Sequence, residues 1–225
     1  MFRRIPLLAL AAVVVPLSVL AQTTSKPKTA KTPRPAKVAA PVPVLLGLAP
    51  DGNEVRFIVR EQLAGFELPN DAIGRSSAIT GGVRLTGDGK VDSTGSTITV
   101  DLATLKSDRD RRDNFIKRRT LIVDSFPTAS LTVTELRGLP AILPTSGTMT
   151  LTLVGNFTVH GVTKPTMWDL TVVANGDSYT GKASTHVKFG DFNMTQPRVP
   201  IVLSVVDDIL LEYEFHLVKQ APAAP

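Results

Sequence analysis

The sequence predicts an all-β body of about eight antiparallel strands with one short helix, and three observations carry that prediction. From Val44 onward apolar and polar residues alternate with a period of two, the spacing that sets one face of a strand against a core. Turn-forming clusters punctuate the alternation, among them Gly87-Asp88-Gly89, Asn175-Gly176-Asp177 and His160-Gly161-Val162-Thr163-Lys164-Pro165. Only one stretch, near 108–119, carries helical signals.

The chain of 225 residues opens with Arg3 and Arg4, then an apolar run from Ile5 to Leu20 that ends in Ala21. A charged start, a short apolar stretch and a small residue at its end predict a cleaved secretory signal peptide over 1–21. A run of 16 residues broken by Pro6 and Pro16 falls short of the roughly 20 needed to span a bilayer. With no Cys in the chain, a lipoprotein anchor, a disulfide scaffold, Cys-ligated zinc and a thiol nucleophile are all excluded. Residues 22–43 hold Pro27, Pro33, Pro35, Pro41 and Pro43 among Lys, Thr and Ala, a composition that predicts a disordered, semi-stiff basic linker. The body is then 44–220.

Charge follows the same division. Residues 1–43 carry seven bases and no acid, which leaves 18 bases against 20 acids in the rest. The net charge of +5 therefore belongs to the leader and linker, and no nucleic-acid partner is expected of a body without clustered base. The linker has a different reach: near an anionic membrane surface each Lys or Arg contributes about 1 kcal/mol. Transient contact with such a surface and a homodimer are the partnerships the chain allows.

Within the body, Val55, Phe57 and Val59 share one strand face while Arg56 and Arg60 share the other. Ile98, Val100 and Leu102 point inward from 97–102, and Met149, Leu151, Leu153, Phe157 and Val159 alternate with Thr and Asn. Ile209, Leu211, Tyr213, Phe215 and Leu217 do the same near the end, with further strands near 76–86, 128–137, 166–175 and 178–188. The helix is supported by Ser107 or Asp108 as cap and by Asp108–Arg112 and Asp113–Lys117 as i,i+4 pairs; Phe115 and Ile116 are its apolar contribution. Strands of this number and spacing form a sandwich or a closed barrel, and periodicity does not choose between them. Two apolar stretches break the alternation: Leu63-Ala64-Gly65-Phe66-Glu67-Leu68 and Pro200 to Val206. Each either plugs the end of a barrel or forms the mouth of an apolar pocket.

Catalytic constellations are missing. No nucleophile elbow, phosphate-binding glycine loop or zinc-binding His pair occurs, and the three histidines lack partners at metal-ligand spacing. No enzyme activity, metal or cofactor is expected. The nearest approach to chemistry is His160 paired with Asp169 or Asp191.

Three ordered motifs bring in a family. Val154-Gly155-Asn156-Phe157-Thr158-Val159-His160-Gly161-Val162-Thr163-Lys164-Pro165 resembles the signature of the YceI-like, polyisoprenoid-binding family. The segment from Val100-Asp101-Leu102 through Arg112-Asp113-Asn114-Phe115-Ile116 to Ser125-Phe126-Pro127-Thr128-Ala129 resembles its strand–helix–FPTA region. Phe189-Gly190-Asp191-Phe192-Asn193-Met194 and the closing Val206-Asp207-Asp208-Ile209 also fit, and the similarity runs over about 53–218. The resemblance implies a lipocalin-like eight-stranded antiparallel barrel, secreted to the periplasm, whose lumen holds a long isoprenoid or similar amphiphilic lipid, such as a quinone, without catalysis. The lipid-binding positions it implies are Phe57, Val59, Ile98, Val100, Phe115, Ile116, Leu131 and Val133, to which the apolar stretch after the first strand adds Leu63 and Phe66. Many relatives place a His after the first strand, where this chain has Arg60-Glu61-Gln62. The other expectations kept open are an interaction or stress-response module with a filled barrel, and an uncharacterised enzyme.

Overall fold

A computed structural model describes residues 42–65, 67–198, 200 and 202–221. The expected leader over 1–21, nearly all of the expected linker, and Phe66 lie outside the described residues. Among the described residues ten strands follow in order: β1 (Val44–Leu48), β2 (Glu54–Leu63), β3 (Asn70–Ser76), β4 (Ile79–Leu85) and β5 (Thr97–Asp101) come before the helix. After it come β6 (Thr128–Arg137), β7 (Ser146–Val159), β8 (Val162–Asn175), β9 (Ser178–Val187) and β10 (Val202–Gln220).

All the strands belong to one antiparallel sheet in the order β1-β4-β5-β6-β7-β8-β9-β10-β2-β3, and a further pairing of β1 with β10 closes eight of them into a ring. The expected count of eight matches the ring in number but not strand for strand: the first expected strand, at 55–60, is β2 in the added β2–β3 hairpin, and β1 takes its place in the ring. The 19-residue β10 makes this possible. Along one edge it pairs with β9, whereas its other edge is divided between β2, from Val202 to Glu214, and β1, from Leu217 to Gln220. β3 then returns toward the segment after β5 through a bridge between Arg75 and Lys106, with N–H···O distances of 2.7 and 2.9 Å. The ring therefore has a lower half closed by β1 and β4 and an upper half flanked by β2 and β3.

The hairpins follow their turn residues. Val159 pairs with Val162 across His160 and Gly161, which take φ of +52° and +73°, the left-handed pair that a two-residue turn between twisted strands requires. The imidazole Nδ1 lies 3.1 Å from the Phe192 carbonyl oxygen and the ring packs edge-on to Phe126, so the contacts of His160 are with neither Asp169 nor Asp191. Asp191 instead accepts from the Lys188 N–H at 3.1 Å.

Helix α1 (Asp110–Phe115) is shorter than the 108–119 expected, because the chain widens into a π-helical turn over Ile116–Thr120. Its start also differs. Arg109 holds the N-cap position without a side-chain cap, and Ser107 is bound instead by Asp113, whose Oδ1 accepts from the Ser107 N–H at 2.9 Å and from its hydroxyl at 2.6 Å. The Asp108–Arg112 pair forms, whereas Lys117 donates to the Ala103 carbonyl at 2.7 Å rather than meeting Asp113.

Two buried clusters result. The lower joins Leu46, Leu85, Ile98, Leu131, Val133, Leu151 and Leu153 to Trp168, Tyr213 and Phe215. The upper gathers Val59, Leu102, Leu105, Leu121, Ala129, Val159, Val187, Phe192 and Ile209. Only the lower is packed through.

Candidate functional site

The upper half surrounds a cavity of about 680 Å³. Its walls come from the inward positions of strands that reach this height: Val59 and Leu63 on β2, Val100 on β5, Ala129 on β6, Val159 on β7, Val187 on β9 and Ile209 on β10. Phe115, Ile116 and Leu121 of the helical segment line another side. Phe57, Phe157, Trp168 and Tyr213 border it where it meets the lower core, and Phe157 stands edge-on to Trp168 with centroids 5.9 Å apart. These aromatic residues keep their polar atoms occupied within the protein. The Trp168 N–H donates to the Thr166 hydroxyl at 2.9 Å and the Tyr213 hydroxyl to Asn53 at 3.2 Å. Burial pushes the Tyr213 phenol well above its ordinary value, which keeps it neutral.

The positions expected to bind lipid divide by height. Phe57, Val59, Leu63, Val100, Phe115 and Ile116 come together around the cavity, whereas Ile98, Leu131 and Val133 lie below it in the lower core. The reason is register. Val100 pairs with Ala129 and Ile98 with Leu131, so one two-residue step along these strands passes from the cavity into solid packing. A period of two specifies which face a side chain takes, not how far along the ring it sits.

The two stretches that broke the alternation meet at the upper rim. Leu63, Val202 and Val205 line the cavity, while Leu68, Leu203 and Val206 face solvent. Register shifts between β10 and β2 at Val202/Ser204 and Val205/Ile209 explain the irregular pattern.

Sequence reasoning missed the polar wall. Glu61 lies inside, only 7% exposed, and its Oε1 meets Arg112 Nη2 at 2.5 Å and Asn70 Nδ2 at 3.3 Å. Its parity was readable, since Glu61 continues the series Val55, Phe57, Val59 on the inward face. Arg112 is held in turn by Asp108. Thr120 is also buried in the wall, with a hydroxyl that meets no partner; a lone Thr at the end of a helical stretch gives no signal in sequence.

Partial desolvation pulls the Asp108 carboxyl upward, but the hydrogen bond and charge of Arg112 outweigh it and hold it below the ordinary carboxylate range. A depressed folded-state value means support that is present above the unfolded value of about 3.9 and lost as pH falls through the lowered one. Acidification below about pH 4 is therefore expected to speed amide exchange in α1, after correction for intrinsic rates. Protection that stays constant from pH 6 to pH 3 (from about two units above the carboxylate range to about one below it) would show that the pair does not hold the helix.

Comparisons place this architecture. The chain matches the YceI-like domain over residues 47–217. A polyisoprenoid-binding domain from Saccharophagus degradans, implicated in plant cell wall breakdown, superposes with a TM-score of 0.59 at 13% identity, covering 80% of this chain and 99% of that one. A YceI protein of Campylobacter jejuni gives 0.54 at 17% identity, over 72% of this chain and 91% of its own. BcnA of Burkholderia cenocepacia gives 0.52 at 16%, over 75% and 96%. At such identities the likeness is one of fold. No curated relative matches the sequence. Matched by that domain over most of its length, the chain belongs to the YceI-like domain family.

Proposed function

We propose that this protein is an exported, non-enzymatic binder of a long-chain isoprenoid or similar amphiphilic lipid, which lies in the upper cavity. The observation that carries this reading is the cavity itself: about 680 Å³ walled by Val, Leu, Ile and Phe, within the size range of pockets that bury a small molecule. An apolar cavity of about 150 Å³ holds one benzene, or about 25 Å³ per carbon. On that scale 680 Å³ has room for about 25 carbons, some five isoprene units. The Saccharophagus neighbour, described as polyisoprenoid-binding, supports the same choice of ligand.

Energetics favours a carrier over an extractor. Burying the five carbons of an isoprene unit from water gains about 4 kcal/mol, yet taking the same unit from a bilayer gains almost nothing, because lipid tails are equally apolar. The protein must therefore match the chain in shape, which rigid branched side chains do well. In this reading the leader sends the protein to the periplasm, the basic linker meets anionic headgroups, and the ligand leaves chemically unchanged, with no cofactor involved.

Native mass spectrometry on the full chain, recovered from the periplasm of an expressing bacterium, tests the proposal. One lipid per chain is expected, and the stripped protein is expected to take up added quinone or polyprenol one to one. A chain that is empty when isolated and takes up neither would overturn it.

A further inference from the structure

We propose that the mouth of the cavity docks on an anionic bilayer, with Leu68, Leu203 and Val206 entering the headgroup layer and Arg111, Arg118 and Arg119 facing its phosphates. The inference rests on the lipid-binding reading above and adds how the cargo passes: directly between membrane and cavity, without crossing water.

Exposure locates the mouth. Among the described residues that border the cavity, only Arg109, Asp110 and Arg111 are exposed, so the cavity meets solvent at the start of α1. Arg112, next in the chain, reaches Glu61, and Glu61 pairs with Asn70 across the β2–β3 hairpin and with Val205 on β10. One corner therefore joins the start of α1, the hairpin turn and the start of β10. From it three apolar side chains face solvent: Leu68 at 77% exposure, Leu203 at 66% and Val206 at 47%. Single exposed apolar residues are ordinary, whereas three grouped at the rim of an apolar cavity mark a contact surface.

Charge names the partner. Residues 106–124 hold seven bases against four acids, while the rest of the body holds eleven against sixteen. Within this segment Asp108 is held by Arg112 and Arg109, Asp110 by Lys106 and Asp113 by Ser107, while Lys117 donates to the Ala103 carbonyl. Arg111, Arg118 and Arg119 remain, each exposed and meeting no carboxylate among the described residues. Exposed Arg198 adds a fourth, in an outer groove that Leu203 also lines. Acids at the same end are mostly engaged: Asp71 by Arg60, Asp208 by His186 and Asp207 by the Phe189 N–H. Glu67 and Asp124 are the exposed acids left to oppose the four bases. Arg56 and Glu212, which border the cavity more deeply, are matched by each other and by Glu54, Glu214 and Lys182.

The helical segment is thus two-faced. Phe115, Ile116 and Leu121 line the cavity, while Arg111, Asn114, Arg118 and Arg119 face outward. Bases that attract anionic lipid, beside apolar side chains that bury at the acyl boundary, are what an interfacial surface combines. Docking also answers the energetic problem of a carrier. An isoprenoid released into water loses, unit by unit, what its burial gained, whereas one that passes straight into lipid does not.

Transfer of radiolabelled geranylgeraniol from the loaded full chain to vesicles tests this, the vesicles being phosphatidylcholine alone or with an equal part of phosphatidylglycerol. The rate is expected to rise in proportion to the concentration of mixed vesicles and to fall in high salt, as an electrostatic collision requires. Arg118→Gln with Arg119→Gln is expected to slow transfer to mixed vesicles about tenfold or more. Leu68→Ser with Leu203→Ser is expected to slow it several-fold, and neither pair of changes is expected to alter how tightly geranylgeraniol binds. A rate independent of vesicle concentration would mean release into water, overturning the inference while leaving lipid binding intact. Native rates in both variants, with slowing only when the linker lysines are changed to glutamine, would assign docking to the linker and overturn it equally. Flotation of the empty protein with the same vesicles reads docking by itself. Failure to float with mixed vesicles would overturn the inference in favour of an acidic protein as the partner of this surface. Failure to take up geranylgeraniol would instead overturn the lipid-binding reading.

Discussion

Val100→Phe is expected to lower lipid occupancy at least about tenfold while leaving the protein folded, whereas Val133→Phe is expected to do the reverse. Val100 borders the cavity, so a larger ring there extends into empty space that a hydrocarbon chain would otherwise fill. Val133 is 1% exposed and sits in the lower core among Ile98, Leu131 and Leu153. Extra atoms there force neighbours off their rotamers, at about 1–3 kcal/mol. Both residues are valines on the inward face of neighbouring strands, so hydrophobicity alone predicts the same outcome for each. Occupancy by native mass spectrometry and stability by denaturant titration separate them. Full occupancy in Val100→Phe would mean that the guest does not lie against β5.

Gly81→Ala is expected to be among the most destabilising single changes in the chain. Gly81 has φ of +112°, and a Cβ built on it would lie 1.9 Å from the Thr97 carbonyl oxygen. That oxygen is backbone in the facing strand and has no rotamer by which to yield. The β4–β5 pairing is short, formed by Ile79 with Val100, Thr80 with Thr99 and Gly81 with Ile98. Strained backbone contributes about 1–3 kcal/mol and overpacking a similar amount, so a loss on the order of 3–5 kcal/mol is expected. For a domain of this size that lowers the melting temperature by about 10 °C or more. A shift of only one or two degrees (less than about 1 kcal/mol) would show that β4 moves away from β5 without consequence.

Legibility in the sequence followed the strength of alternation. β7, β8 and the later part of β10 were readable because each sets a continuous apolar row against a polar one. The alternation expected from Val44 onward does not hold in β1, with Val-Leu-Leu-Gly-Leu, and β3, with Asn-Asp-Ala-Ile-Gly-Arg-Ser, has too few apolar residues; neither was separately recognised. Both are held by their neighbours, β1 by β4 and β10 and β3 by β2, which is tertiary context that local pattern does not contain. The site was half legible for a related reason. Parity placed Phe57, Val59 and Val100 inside and would have placed Glu61 there too, but the division between cavity and packed core falls between Val100 and Ile98. That division depends on where β10 exchanges β2 for β1, some hundred residues further along the chain.

That exchange along β10 also bears on how such a protein can change over generations. The lower half closes through a four-pair seam between β1 and the end of β10, so the residues that preserve shape are largely distinct from those that would touch cargo. Substitutions around the upper chamber can retune which molecule is held without threatening the scaffold beneath, and relatives can drift toward new guests while superposing as one architecture. Neighbours that share only 13–17% of their residues with this chain yet align along nearly all of their own length show how far the sequence can change within this one fold.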